Sequence, residues 1–246
     1  ANWRCPRPRI SISAGSTLAF AIECYEQGLL TKEALGGLEL KWGDSASVLR
    51  LLEMLIAREG IGDLLADGVK LAAKRVGQSA AELSVDAGGQ ELAMHDGRND
   101  PGFALHAAVE PTPGRHTSGS YLYYEMFQLW RKVKYLPPVR WMFYPKFSKY
   151  RATREKAEWA AACSQFTQVV NGAGMCLFGA FLGVHQIPVF EWLNAANGWD
   201  KTPEDYMRIG NNIQLVRQAF NARDGLALRQ PVNARMLGNP PQKRGA

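Results

Sequence analysis

Runs of apolar residues spaced by three and four, each closed by a glycine, constrain this chain more tightly than any other feature. Only helices gather such positions on one buried face. The pattern is clearest at Val48, Leu51, Leu52, Leu55 and Ile56, where Asp44 can cap the start and Gly60 marks the stop. Leu18, Ala19, Ile22, Tyr25 and Glu26 follow Ser13 and Gly15 and end at Gly28. Thr31 with Glu33 predicts a short helix closed by Gly36 and Gly37. Asp63 opens another through Leu64, Leu65, Val69, Leu71 and Ala72 to Gly77. Between Ala87 and Pro101 a Gly- and Asp-rich stretch, with a short alternating piece around Leu92 and Met94, predicts a loop or short strand and a boundary. Further helices are expected over 102–109, 121–133, 153–170, 175–184, 189–196 and 203–221, the last opened by Thr202 and Pro203. Beyond Arg223 the chain reads as coil, either an ordered wrap or a frayed end. The expected fold class is mainly α, because strand signals are too few for a doubly wound sheet.

At 246 residues and 46% hydrophobic content the chain can bury one large core or two modest ones. No apolar run reaches the roughly 18 residues of a membrane span, and no secretory signal pattern opens the chain. A cytoplasmic location with no membrane partner is expected. Cys5, Cys24, Cys163 and Cys176 are too few and too scattered for a disulfide framework and form no C-x-x-C pair, so any metal role needs ligands from outside. The net charge of +6 is concentrated between Arg131 and Lys156. Trp130, Tyr135, Trp141, Phe143, Tyr144, Phe147 and Tyr150 interleave with those cations. A solvated loop with an aromatic underside is the favoured reading, ahead of a surface for an acidic protein; nucleic acid is not the expected partner.

Asn171-Gly172-Ala173-Gly174-Met175-Cys176 is a glycine turn that presents a cysteine between two helical segments. Amides at a helix end favour an anion or a thiolate, the state a metal needs; the alternative is a buried structural cysteine. His116, in Pro113-Gly114-Arg115-His116-Thr117-Ser118-Gly119, can shuttle protons near neutral pH or be a polar surface residue. His95-Asp96-Gly97-Arg98 reads as a turn held by its Asp and an Arg ion pair. His106 and His185 lie in apolar surroundings and read as core or boundary residues. Glu23, Glu26, Asp63, Asp67 and Glu110 read as helix caps and solvated faces. There is no H-E-x-x-H, P-loop or G-x-S-x-G motif, and no convincing strand precedes Gly172-Ala173-Gly174.

Several of these segments, in order along almost the whole chain, resemble the aldehyde:ferredoxin oxidoreductase family. Arg58-Glu59-Gly60-Ile61-Gly62-Asp63-Leu64-Leu65-Ala66-Asp67-Gly68 resembles its R-E-G-I-G-D-x-L-A-E-G corner, and Ser13-Ala14-Gly15-Ser16 with Ala19-Phe20 its S-x-G helix start. Met94-His95-Asp96-Gly97-Arg98 is similar to the H-D-P-R segment, with Gly97 in the proline position. Gly114-Arg115-His116 falls where the R-G-x-x-H loop supplies an active-site histidine. Asn171 to Cys176 resembles D-x-x-G-L-C, with Asn171 in place of the acid. Gly198-Trp199-Asp200, Thr202-Pro203-Glu204 and Phe220-Asn221-Ala222-Arg223-Asp224-Gly225 resemble the signatures of the last domain.

The resemblance implies helical domains 2 and 3 of that fold. Residues 1–88 would belong to the middle domain and 89–246 to the carboxyl-terminal one. It implies oxidation of a small aldehyde to a carboxylic acid at a tungsten, or molybdenum, bis-pterin centre, with electrons leaving through a 4Fe-4S cluster to ferredoxin or a similar acceptor. Cys176 would be the fourth cluster ligand, Asn171, Gly174 and Met175 would hold one pterin, and His116 would handle the proton. The family's amino-terminal sheet domain and its C-x-x-C-x-x-x-C run have no counterpart here, and Cys5 to Ile10 stands in place of the first D-x-x-G-L-D turn with neither acid. The expectation is a chain truncated at both ends, or a separately encoded subunit, inactive alone and prone to self-association as a homo-oligomer through uncovered apolar faces. The other reading is a non-catalytic helical interaction subunit whose basic aromatic stretch binds an acidic partner.

Overall fold

A computed structural model describes residues 11–118, 121–139, 149–176, 178–179 and 186–237. The fold is mainly helical, as expected, and divides into two compact units: 11–94 with 231–237, and His95–Gln230.

In the first unit, α1 (Ser11–Glu26), α2 (Ser45–Ala57), α3 (Ile61–Leu65) and α4 (Val69–Val76) enclose a core of Leu18, Ile22, Leu51, Leu55, Leu65 and Val69. Asp44 caps α2 by accepting the Ala46 N–H at 3.1 Å. The glycine-rich corner that follows is a folding device. Arg58 takes the left-handed conformation at φ 56° and ends α2, and a Cβ on Gly62 would lie 2.0 Å from the Met54 carbonyl oxygen, so only glycine lets α2 and α3 approach. Arg58 then pairs with Asp63 at 3.0 Å and with Asp67, while Arg75 reaches Asp67 at 3.1 Å.

Two expected helices differ. The segment from Thr31 stays a turn, with Leu35 N–H bonded to Thr31 O and Gly37 N–H to Lys32 O. The helix expected from Asp63 to Gly77 breaks at Gly68, φ 96°, because the buried carboxylate of Glu91 accepts the Val69 N–H at 2.7 Å and starts α4 afresh. A carboxylate at a helix N-terminus contributes about 0.3–1 kcal/mol. Glu91 sits on β2 (Gln90–Glu91), paired antiparallel with β1 (Asp86–Ala87) through Gly88 and Gly89, both at positive φ, so the strand lies slightly ahead of its expected place. Of the stretch expected to be an ordered wrap or a frayed end, residues 231–237 are tied to the first unit: Asn233 donates to Ser84 O at 2.6 Å, and Arg235 forks onto Glu23 at 2.7 and 2.8 Å; 238–246 lie outside the described residues.

The second unit is built on two long helices, α8 (Arg154–Gly172) and α10 (Pro203–Arg223), with α5 (Pro101–Val109), α6 (Tyr121–Met126), α7 (Leu129–Lys132) and α9 (Val189–Asn197) around them. Trp159, Cys163, Phe166, Val169 and Val170 of α8 pack with Leu129, Val133, Phe190 and Tyr206. The single helix expected over 121–133 divides into α6 and α7 at Gln128, φ 47°. Most family-like signatures here are caps. Gly198 ends α9 at φ 66°, and Thr202 and Asp205 form a reciprocal capping box on α10. Along α10, Gln214, Gln218 and Asn221 donate to Glu110, Val109 O and Pro111 O at 2.8, 2.6 and 2.8 Å. Glu110 is therefore buried and paired with Arg217 at 2.6 Å, not a solvated face.

Candidate functional site

The loop after α5 carries His116 in a single 3-10 turn, His116–Ser118. The His116 ring is half-buried, with its centroid 5.0 Å from that of His95. His95 meets the edge of Phe103 at 5.2 Å, and Phe103 stacks on His106 at 6.1 Å. The turn around His95 has the expected form: Asp96 accepts the Arg98 N–H at 2.9 Å and pairs with its guanidinium at 2.8 Å.

The three imidazoles differ in what they can do. His106 is a core residue, as its apolar setting predicts. Its Nε2 lies 3.1 Å from the Arg115 carbonyl oxygen, which can only accept, so Nε2 carries the proton. Burial pushes its pKa down to about 4, outweighing that hydrogen bond, and the ring is neutral at physiological pH. His116 is also held below its ordinary value, by burial first and by the nearby His95 second, leaving a neutral imidazole able to take up a proton. Asp100, buried at the N-cap of α5, gives one oxygen to the Phe103 N–H at 3.1 Å; burial raises its pKa.

The second predicted segment is the turn after α8. Gly174 N–H bonds to Asn171 O and Met175 N–H to Val170 O at 3.1 and 3.0 Å, and Gly174 has φ 69°. Asn171 and Gly174 are exposed, a Cβ on Gly174 would meet nothing within 4 Å, and Met175 packs toward the core of the unit. Cys176 is exposed, which removes the buried-structural alternative, whereas Cys24 and Cys163 are buried. These features fit a turn that approaches a large cofactor with its backbone and offers it one thiol. Among the described residues no three His, Cys, Asp or Glu side chains gather as a metal site, so any metal at Cys176 would need its other ligands from elsewhere.

The two segments are linked by Gln168, whose side-chain nitrogen donates to Ser118 O at 2.9 Å in a buried bond. The sequence reading passed over Gln168. Its available signal was a glutamine set, beside Thr167, between Phe166 and the pair Val169 and Val170. The basic aromatic stretch lies partly outside the described residues, at 140–148, as does His185. Its described part is not simply solvated: Lys149 is buried and donates to Asn99 at 3.2 Å, and buried Lys156 donates to Lys149 O and Arg151 O at 3.0 and 2.8 Å. No helix among the described residues is long and apolar enough to cross a membrane.

Relatives match across most of the chain. A tungsten-containing aldehyde ferredoxin oxidoreductase of Pyrococcus furiosus is 32% identical over 92% of this chain and 35% of its own length. The protein of the same name from Thermococcus kodakarensis is 31% identical over the same shares. An aliphatic sulfonate oxidoreductase, WOR-like subunit, of P. furiosus is 36% identical over 44% of this chain and 18% of its own. The active site complex BamBC of benzoyl coenzyme A reductase, solved with 1,5-dienoyl-CoA, shares the fold at a TM-score of 0.56 and 19% identity, over 90% of this chain and 37% of that one. The chain thus spans about a third of the length of the first two relatives. The family described as aldehyde ferredoxin oxidoreductase, domains 2 & 3, matches residues 1–246, and the chain belongs to it.

Proposed function

We propose that this chain is the helical part of a cytoplasmic oxidoreductase that converts a small aldehyde to a carboxylic acid and passes electrons to ferredoxin or a similar acceptor. Its relatives are tungsten-containing oxidoreductases. In this reading a tungsten, or molybdenum, bis-pterin supplies the two-electron step and a 4Fe-4S cluster the one-electron exit. Aldehyde and water give acid with release of two protons and two electrons. His116, kept neutral by burial, accepts a proton. Asn171, Gly174 and Met175 offer the backbone of their turn to one pterin, and the Cys176 thiolate supplies one cluster ligand. A sheet domain and three further cysteines complete the assembly.

The observation that carries the reading is the buried Gln168 to Ser118 bond, which makes the His116 turn and the helix leading to Cys176 neighbours. The test is anaerobic co-production with an amino-terminal domain of the family, followed by elemental analysis, visible absorption and aldehyde-dependent viologen reduction. Cys176→Ala is expected to lose cluster iron. His116→Asn is expected to keep tungsten and iron and lose at least about tenfold in rate, the low side of a general acid–base contribution. A metal-loaded assembly that reduces no viologen with any aldehyde sinks the proposal.

A further inference from the structure

The turn that presents His116 is gripped at both ends by buried side chains. At its start the Arg115 carbonyl oxygen accepts from Ser118 N–H at 3.1 Å and from His106 Nε2 at 3.1 Å. At its end the Ser118 carbonyl oxygen accepts from Gln168 at 2.9 Å. Both donors are shut away from water: Gln168 is 3% exposed and His106 5%. Water therefore does not replace either bond if it is lost, and each is worth more than its surface equivalent. His106 is held flat against Phe103, and its neutral state commits Nε2–H to the carbonyl. It does not compete with His116 for a proton.

We propose that Gln168 and His106 are positioning residues for His116: they hold its imidazole at a fixed depth against His95, and Gln168 ties its turn to α8, the helix that leads to Cys176. The inference rests on the reading of His116 as the proton-handling group. Burial and the nearby His95 are the two causes of its lowered proton affinity, and both depend on where the ring sits. Among the described residues, the titratable or charged groups beside it include His95 from the neighbouring turn, His106 from α5, and Arg115 next to it in the chain. If either grip is released, the ring swings toward solvent and away from His95, and its proton affinity returns toward that of free imidazole.

The test needs no cofactor. The chain has four histidines, so imidazole spectra of the isotopically labelled 246-residue chain are assigned by single His→Gln substitutions. Gln168→Leu and His106→Leu should each raise the proton affinity of His116 by about threefold or more, half a pKa unit. His106→Gln, which sets an amide N–H where Nε2–H stood, should leave it unchanged. If Gln168→Leu does not fold, Gln168→Met keeps the length of the side chain and removes the donor without adding a charge. A His116 titration that stays at the wild-type midpoint in these donor-deleting variants, while the melting temperature falls, overturns the proposal and makes both residues merely structural. Undiminished activity in a metal-loaded His116→Ala assembly overturns the functional reading instead and leaves the titration result standing.

Discussion

Gly210 lies where α10 crosses α8, and the structure makes its replacement by alanine a quantitative test of that crossing. A Cβ built there would sit 2.1 Å from the carbonyl oxygen of Gln165 and 3.1 Å from Val169 Cγ2. Ordinary contact begins at 3.4 Å, so the helices must separate by about 1.3 Å. The obstacle is backbone and cannot rotate aside. Separation would loosen the packing of Phe166, Val169 and Tyr206, which share one core. Overpacking of this kind costs up to about 3 kcal/mol. Alanine recovers about 1 kcal/mol of helix propensity. The net loss is then about 2 kcal/mol, or roughly 4–8 °C in melting temperature for a chain of this size. Gly172→Ala is the matched control: its Cβ would meet only the mobile Cδ1 of Ile213, at 3.2 Å, so its stability should stay within about 1 kcal/mol of wild type. Urea unfolding followed by tryptophan fluorescence and near-ultraviolet circular dichroism reads both. Wild-type stability in Gly210→Ala refutes the close-crossing argument, and so does a larger loss in Gly172→Ala than in Gly210→Ala.

Arg217→Ala leaves the buried Glu110 carboxylate without its ion pair and should cost about 3 kcal/mol in urea unfolding at neutral pH, while Glu110→Gln should cost far less. Burial raises the pKa of Glu110, so its contribution is fully present below the unfolded carboxyl value and is lost as pH rises through the folded one; the stability of Glu110→Gln relative to wild type should accordingly grow from pH 4 upward, and a pH-independent difference contradicts this assignment. In site-resolved mass spectrometry of native protein, Cys176 should be alkylated readily while Cys24, its pKa raised by burial to about 11, and buried Cys163 react only after unfolding. Equal labelling of the three in the folded chain contradicts the described exposure.

The sequence by itself determined what repeats locally. Helical spacing with Asp44, Thr153 and Thr202 at helix starts located most helices to within a few residues, and the order of short motifs pointed to the family that the whole chain matches. The exposed cysteine turn and the histidine loop were visible as residue types in suggestive company. What tertiary structure decided depended on partners far along the chain. The helix expected from Asp63 ends because Glu91, 22 residues beyond Val69, takes its N–H. Glu110 enters the interior because α10 brings Arg217 and Gln214 to it. Gln168 binds Ser118, 50 residues away, and its place beside Phe166 and Val169 does not say which carbonyl it will meet. Periodicity and caps are satisfied within a turn or two and so are written locally. A buried donor or charge must find its complement wherever the fold delivers one, and only the packed chain fixes which residue that is.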